Sequence, residues 1–506
     1  MIPGDTRLNA GRRARELAEL GEAPQVDVLV IGGGITGVGL ALDAASRGLS
    51  TVLVERHDLA FGTSRWSSKL VHGGLRYLAS GQFGIAHESA AERHVLMTRT
   101  APHLTRALAQ VMPLHAPGHR SRGAYVGAGY ALGDGLRRIV GTPGTVLHAP
   151  TRIDAETVTA LAPAVRRSGL RGGLRGWDGQ LIDDVRLVVA VARTAAGFGA
   201  RILTRIAAVD VSGDGATLRD ELTGGSVRVA ARAVINATGV WTGEVDPGVR
   251  LRPSRGTHLV LDAERLGGSD VSLTVPLPGS RSRVVFTVPA PHGRVYAGLT
   301  DVAAEGPVPD VPEPSEPEIT MLLGTLSTAL EVPLERSDVR GAFAGLRPLL
   351  VGAHGDAVET ADLSRRHAII ESDSGVLSVV GGKLTTYRRM AEDGVDAAVA
   401  RRGLVAPASR TRDLPLVGAW PRERLGDIAA PPRFVRRYGT EAPFVAALPG
   451  GQDAARGVTA QELAWGVLAE GAMTVDDLLD RRTRLGLVED DRAASLAAAE
   501  VALDRL

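Results

Sequence analysis

The chain of 506 residues carries 58 basic and 57 acidic side chains, a formal net charge of +1, and no cysteine. That length holds two or three domains with a sizeable core; the near-neutral balance gives no reason to expect nucleic acid as a partner, and the missing thiols exclude disulfides, thiolate catalysis and cysteine-ligated iron–sulfur clusters. The N-terminus has no apolar h-region and no window reaches 18 uncharged apolar residues, so neither export nor a membrane span is expected.

Of the basic residues only Lys69 and Lys383 are lysines, against 56 arginines. Where arginine does nearly everything else, a lysine can mark a site that needs a compact ammonium with a movable pKa; the bland alternative is two chance survivors.

In chain order, residues 1–24 form a polar arm with a short basic helix over Arg12 to Leu20, expected to fray in solvent, with an anionic membrane surface as the other resting place. Val26 to Arg56 then reads as a βαβ unit: an apolar run, three glycines, a helix rich in small residues, and a second apolar run ending on Glu55. Gly32 is expected to make the tight turn, Gly34 to let backbone approach a pyrophosphate, and Gly37 to let helix pack on strand. The phosphates would sit on the helix's unpaired N–H groups, and Glu55 would accept from an adenosine ribose, favouring FAD or NAD over NADP.

Next, GTSRWSSKLVHGGLRYL (62–78) packs hydroxyls, Lys69, His72, Arg76 and Tyr77 into a stretch too polar and irregular for a core helix, suited to a chain passing beneath a cofactor ring. His87 to Ala107 reads as an amphipathic helix. Residues 108–175 look like part of a second domain, and Asp183 can cap a helix beginning DDVRLVVAVARTAAGFGA. VINATGVW opens a buried strand onto Ala237, Thr238 and Gly239, a second place where backbone meets a ligand at a strand's carboxyl end. RGTHLVLD, SRVVFTVPA and GRVYAGLTDV suggest an antiparallel sheet outside the doubly wound one. Residues 304–317 are a Pro- and acid-rich loop, GAFAGLRPLL brings Arg347 to the end of a strand, and LSRRHAII supplies Arg365 and Arg366. SVVGGKLTTYRRM is strand, Gly-Gly turn and helix, with Thr385 or Thr386 as cap and Lys383 just before the start. Residues 406–506 read as a helical domain.

These motifs together resemble FAD-dependent glycerol-3-phosphate dehydrogenase of the D-amino acid oxidase-like fold, from about residue 25 onward. SSKLVHGGLRYL and GGKLTTYR are its most specific stretches, supported by WDGQLIDDVRLVVA, VINATGVW, RGTHLVL, GLRPL and DDLLDRRTRLGL.

The resemblance implies an α/β fold: a Rossmann-like FAD-binding domain (25–100, 176–245 and 340–402), an antiparallel-sheet substrate domain (101–175 and 246–339) and a C-terminal helical domain (406–506). It implies oxidation of sn-glycerol 3-phosphate to dihydroxyacetone phosphate, hydride passing from C2 to flavin N5 and electrons on to membrane quinone. The expected setting is the cytoplasmic membrane surface, peripherally bound, with a homodimer allowed for. Use of O2, as in glycerol-3-phosphate oxidase, is the alternative.

By resemblance FAD contacts fall on Gly32, Gly33, Gly34, Thr36, Gly37, Glu55, Arg56, Thr63, Ser67, Ser68, Lys69, Leu70, Ala237, Thr238, Gly239, Gly382, Lys383, Leu384 and Thr385. His258 and His72 are the candidate bases, with Arg76 and Tyr77 beside them, and a neutral imidazole of ordinary pKa would make reduction rise with pH near 6.5. Arg347, Arg365 and Lys383 are the candidate phosphate ligands, while Asp183 and Trp177 are left as structural. No metal site is assigned. Arg65-Trp66, Leu346 and Arg366 depart from the family pattern, and Arg366 leaves open which arginine of its pair reaches phosphate.

Overall fold

The computed structural model describes residues 2–74, 81–117, 119–280, 283–351 and 366–504. Its organising layer is a sheet of eight described strands. Gln25–Ile31 runs parallel to Thr51–Glu55 on one side and to Ser226–Asn236 on the other. Arg201–Thr204 and Leu377–Val380 extend the two wings in parallel, and Ala368–Glu371 closes one edge antiparallel. Helices cover one face, and the hairpin residues Ile206, Ala216 and Leu218 with Leu20 of the N-terminal helix cover the other, so these strands are buried on both sides and read as continuous Val, Ile and Leu runs. Ile35–Ser46 is the central helix, packed between Asp184–Gly197 and Tyr387–Arg402.

Close packing on that helix rests on glycine. A Cβ on Gly37 would stand 1.8 Å from the carbonyl oxygen of Gly32, and one on Gly32, whose φ is +111°, would stand 2.6 Å from that of Ala237. Backbone cannot yield as a side chain can. Gly37→Ala is therefore expected to cost at least about 1–3 kcal/mol, the usual range for overpacking, and to yield protein depleted of flavin; the absorbance ratio of flavin to protein checks it.

The second layer is a ten-stranded sheet among the described residues, in the order Val302–Ala303, Leu251–Asp262, Arg294–Gly298, Val284–Ala290, Ser272–Pro276, Thr105–His115, Leu170–Leu181, Leu70–Val71, with Val339–Leu350 and Thr151–Ile153 attached. It is antiparallel apart from the pair Ser272–Pro276 and Thr105–His115. The domain boundaries expected at 176 and 340 are corrected by it: both fall within or at the start of strands of this second sheet, Leu170–Leu181 and Val339–Leu350. The residues of a long strand carry no marker of which sheet it joins. The helix expected over His87 to Ala107 also ends early. It runs Phe83–Val95, continues as a π-turn to Thr100, and stops before Pro102, after which Thr105 begins a strand.

The N-terminal arm is docked rather than frayed. Leu8 pairs with the Ala469–Gly471 backbone, Asn9 caps the helix Ala10–Glu22, and Leu20 is fully buried. Arg12 is held by Glu16 and by the carbonyls of Asp5 and Ala196, and Arg13 by Asp220 and the Thr204 carbonyl. Two arginines offered to a membrane surface are thus consumed internally.

Helices Pro432–Tyr438, Ala460–Glu470 and Leu496–Asp504 lie in the C-terminal region. Buried ion pairs join it to the first layer: Arg186 forks onto Glu470 at 2.6 and 2.5 Å, and Arg482 onto Asp58 at 2.7 and 2.9 Å. No helix among the described residues is long and apolar enough to cross a membrane.

Candidate active site

A cavity of about 1530 Å³ runs from the glycine turn of the first sheet to the second sheet. At one end Gly32, Gly34, Ile35 and Thr36 meet Thr238 and Gly239, because the strands they follow are parallel neighbours whose carboxyl ends open together. Gly34 is the N-cap of the central helix and makes no side-chain cap bond. Its place is taken by the Ser64 hydroxyl, which accepts from the Ile35 N–H at 2.9 Å.

Glu55 ends the adjacent strand with its carboxylate in the cavity, accepting from the N–H groups of Gly33 at 2.7 Å and His57 at 2.8 Å. Burial pushes this carboxyl up, against those two donors. A Cβ on Gly33 would strike Glu55 at 2.9 Å; this glycine makes room for the acid and does not line the cavity, nor does Gly37. Arg56, His57 and Ala207 line the far end.

The polar segment after residue 62 crosses beneath the middle of the cavity. Thr63, Ser67, Ser68, Leu70 and His72 line it. Thr63 donates to the Leu346 carbonyl at 2.7 Å. Lys69 corrects the expectation of a cofactor contact: its chain is buried away from the cavity, with φ +58°, and its ammonium donates to Asp184 at 2.8 Å and to the carbonyls of Arg65 and Ser67, each at 3.0 Å. Burial pulls that ammonium's pKa down and Asp184 pushes it back up. Lys69 therefore pins the segment to the helix starting at Asp184, whose N-cap is Asp183. Of the two lysines set apart by the arginine-rich composition, one serves architecture and the other, Lys383, lines the cavity.

On the second sheet His258 faces the same space. It stacks on Phe343, ring centroids 4.9 Å apart, and shares a 3.0 Å hydrogen bond between Nε2 and the Ser68 hydroxyl. Its Nδ1 is buried with no partner among the described residues. Burial holds the imidazole well below its ordinary pKa, with the Lys69 and Arg347 charges adding to the effect. The imidazole is therefore neutral at physiological pH.

Arg347 lies one strand over, donating to Ser254 at 3.0 Å, to the Thr300 carbonyl at 3.1 Å and to Asp301 at 3.4 Å. Lys383 closes the array after Gly381 and Gly382, both at positive φ, and donates to Ser89 at 2.9 Å. Leu384 and Thr385 follow on the cavity wall. Thr386 holds the N-cap position of the following helix but makes no side-chain cap bond: a 3₁₀ turn, Leu384–Thr386, leads in, and Thr386 donates back to the Lys383 carbonyl.

The structure thus brings His72, His258, Arg347 and Lys383 to one cavity. Arg76, Tyr77 and Arg365 lie outside the described residues. Arg366 is described and stands near Gly84, outside the cavity lining. Sequence reasoning missed Ser64, Ser254, Asp184 and Asp301. The first two are ordinary serines in polar stretches, and Asp184 stands next to the capping Asp183 with no signal of its own.

The glycine turns fit FAD: two positions where any side chain would strike backbone, a helix N-terminus on the cavity between them, and a carboxylate at the neighbouring strand end for a ribose. Comparison with known proteins agrees. Residues 27–388 match the model of the FAD dependent oxidoreductase family, and residues 409–504 the model described as the C-terminal domain of alpha-glycerophosphate oxidase. The chain is 55% identical to glycerol-3-phosphate dehydrogenase 1 of Mycobacterium tuberculosis over the whole of both proteins. It is 35% identical to the mitochondrial glycerol-3-phosphate dehydrogenase of Arabidopsis thaliana, covering 89% of this chain and 72% of that one. The crystal structure of a glycerol-3-phosphate dehydrogenase from Bacillus halodurans, complexed with FAD, superposes with a TM-score of 0.70 at 25% identity over 98% of each chain. This chain belongs to the FAD-dependent glycerol-3-phosphate dehydrogenase family.

Proposed function

We propose that the protein oxidises sn-glycerol 3-phosphate to dihydroxyacetone phosphate and passes the electrons to a membrane quinone. The observation that carries the reading is the convergence of a neutral, buried histidine, His258, and two fixed cations, Arg347 and Lys383, on the cavity that begins at the glycine turn. Gly32, Gly34, Thr36, Glu55, Thr238 and Gly239 would hold the dinucleotide, and bound FAD supplies the two-electron acceptor. The chain's own part is threefold. Arg347 and Lys383 fix a phosphate dianion, the arginine through two parallel donors and the lysine as a point charge. His258, kept neutral, takes the proton of the C2 hydroxyl as the carbonyl forms, with His72 as the second candidate. The Ser68 hydrogen bond fixes the orientation of the His258 ring.

Arg347→Ala removes a charge-assisted contact worth about 1.5–3 kcal/mol, so KM for glycerol 3-phosphate should rise roughly 10- to 150-fold. Uncharged glycerol should be affected far less, and an equal loss for both would remove Arg347 from the phosphate site. Asp301 and Ser254 keep the guanidinium in place before substrate arrives, so Asp301→Asn should give a smaller change in the same direction.

Anaerobic mixing with a panel of polyol phosphates tests the substrate: bleaching by glycerol 3-phosphate alone is expected. The acceptor is tested by reoxidation. The oxidase reading draws support from the family model matched at 409–504, and faster reoxidation by air-saturated buffer than by a short-chain quinone, with stoichiometric peroxide, would establish it instead.

A further inference from the structure

The helix His119–Ile139 turns its apolar side outward. Tyr125, Leu132 and Ile139 recur every seven residues, and so share one face, and they are 53%, 55% and 71% exposed. Ala124, Ala128 and Ala131 fill the same exposed stripe. The acid of the helix, Asp134, is turned inward with its side chain 9% exposed, held by Arg137 at 2.6 Å and Arg138 at 2.9 Å. Surface helices of globular proteins are patterned the other way, with charge outward and the apolar stripe toward the core. Phe83, 61% exposed, extends the patch, because Ile85 and Ala86 two residues on pack against Leu136.

From these observations we infer that the helix His119–Ile139 lies in the headgroup region of an anionic lipid bilayer, and that this face is the protein's membrane-docking surface. Charge selects lipid over a protein partner. By sequence the segment holds four arginines (120, 122, 137 and 138) against one aspartate, in a chain whose net charge is only +1; Arg137 is spent inside on Asp134 and the Thr142 carbonyl, and Arg138, its side chain 70% exposed, stands at the solvent side of the last turn. A basic segment with an outward apolar stripe is the composition of an interfacial helix, in which the apolar face enters the acyl boundary and an exposed guanidinium such as that of Arg138 stays at headgroup level. Position agrees: Tyr125, Ala128 and Leu132 also line the cavity. An acceptor dissolved in the bilayer would reach the cavity mouth without crossing water. The inference rests on the quinone reading above, and supplies the surface that reading needs.

The test uses the flavin-loaded protein and vesicles of phosphatidylcholine with or without phosphatidylglycerol. Ala131 and Ile139 lie on the exposed stripe and do not line the cavity, so the double variant Ala131→Glu, Ile139→Glu should keep its flavin and its anaerobic bleaching by substrate. Its partition onto phosphatidylglycerol vesicles should fall about tenfold or more, and wild-type binding should weaken with salt and on pure phosphatidylcholine. Phe444→Glu, an exposed apolar site in the C-terminal region (68%), should bind as wild type does. Equal binding by wild type and the double variant overturns the assignment of this face while leaving membrane attachment standing. Loss of binding in Phe444→Glu moves the surface to the C-terminal region. A wild type that ignores vesicles, and whose dimer by light scattering is broken by the double variant, makes the face a contact between copies.

Discussion

His258→Ala is expected to slow reduction of the bound flavin by glycerol 3-phosphate by about 10²–10⁴, the usual worth of a positioned general base, with little change in the amount of flavin retained. The pH profile separates this role from a structural one. A histidine of ordinary pKa would give a rate rising through about pH 6.5, which is what the residue type alone suggests. In the structure His258 is buried between Phe343 and Ser68 with Lys69 and Arg347 as nearby cations. All three effects disfavour the imidazolium, so the folded-state pKa lies well below 6.5 and the base is already neutral there. The wild-type rate should therefore be flat across pH 6–8, with the fall displaced to more acid values. Stopped-flow reduction of wild type, His258→Ala and His72→Ala over that range decides between the two histidines. A step near 6.5 that vanishes in His72→Ala would give the base role to His72.

The second large effect concerns stability. Asp58 is buried directly after the strand that ends on Glu55, and two arginines of the C-terminal region converge on it: Arg481 at 2.6 Å, Arg482 at 2.7 and 2.9 Å. Burial opposes the carboxylate, but the paired guanidinium groups outweigh it and hold the pKa down to about 2, from 3.8. Asp58→Ala leaves two buried cations short of their partner, a change that costs about 3–5 kcal/mol. The turn that carries Glu55 should loosen with it, so thermal unfolding should come earlier and flavin should leak at temperatures where wild type retains it. The pH dependence has a definite sign. Because the folded-state pKa lies below the unfolded one, the unfolded chain binds the extra proton first. The contribution, about 2 kcal/mol, is complete above about pH 4 and is lost as pH falls through about 2. Denaturant midpoints for wild type and Asp58→Asn should converge over that window; a constant gap would mean that Asp58 acts by shape and not by charge.

These two residues mark the limit of sequence reading. The glycine turn was legible because its chemistry is local: Gly32, Gly34 and Gly37 stand in a fixed spacing between two apolar runs, and the backbone clashes that exclude side chains there involve near neighbours in sequence or, at Ala237, the next strand of the same sheet. Glu55 was legible for the same reason. His258 and Arg347 could be named from the motifs around them. Their protonation and orientation could not, since these depend on Ser68, Phe343, Ser254 and Asp301, brought in from distant parts of the chain.

Lys69 shows the opposite case. Its rarity and its place in a polar motif marked it for the cofactor, yet its ammonium is consumed by Asp184 and two carbonyls. A sequence shows that a charge is present and not which way it turns. The N-terminal arm and the sheet boundaries failed on the same ground. Arg12, Arg13 and Leu20 look like a solvated basic helix until Asp220, the Thr204 carbonyl and the Ala469 backbone are beside them.

By itself, then, the sequence determined the dinucleotide turn, the family and the set of polar side chains available for catalysis, because spacing along the chain fixes turns and strand ends. Tertiary structure decided which of those side chains share a cavity, which are spent on holding the fold, and which face of the helix His119–Ile139 meets solvent. Burial and charge pairing are properties of neighbours in space, and in this fold the decisive neighbours come from distant parts of the chain, from Asp301 beside Arg347 to Arg482 on Asp58.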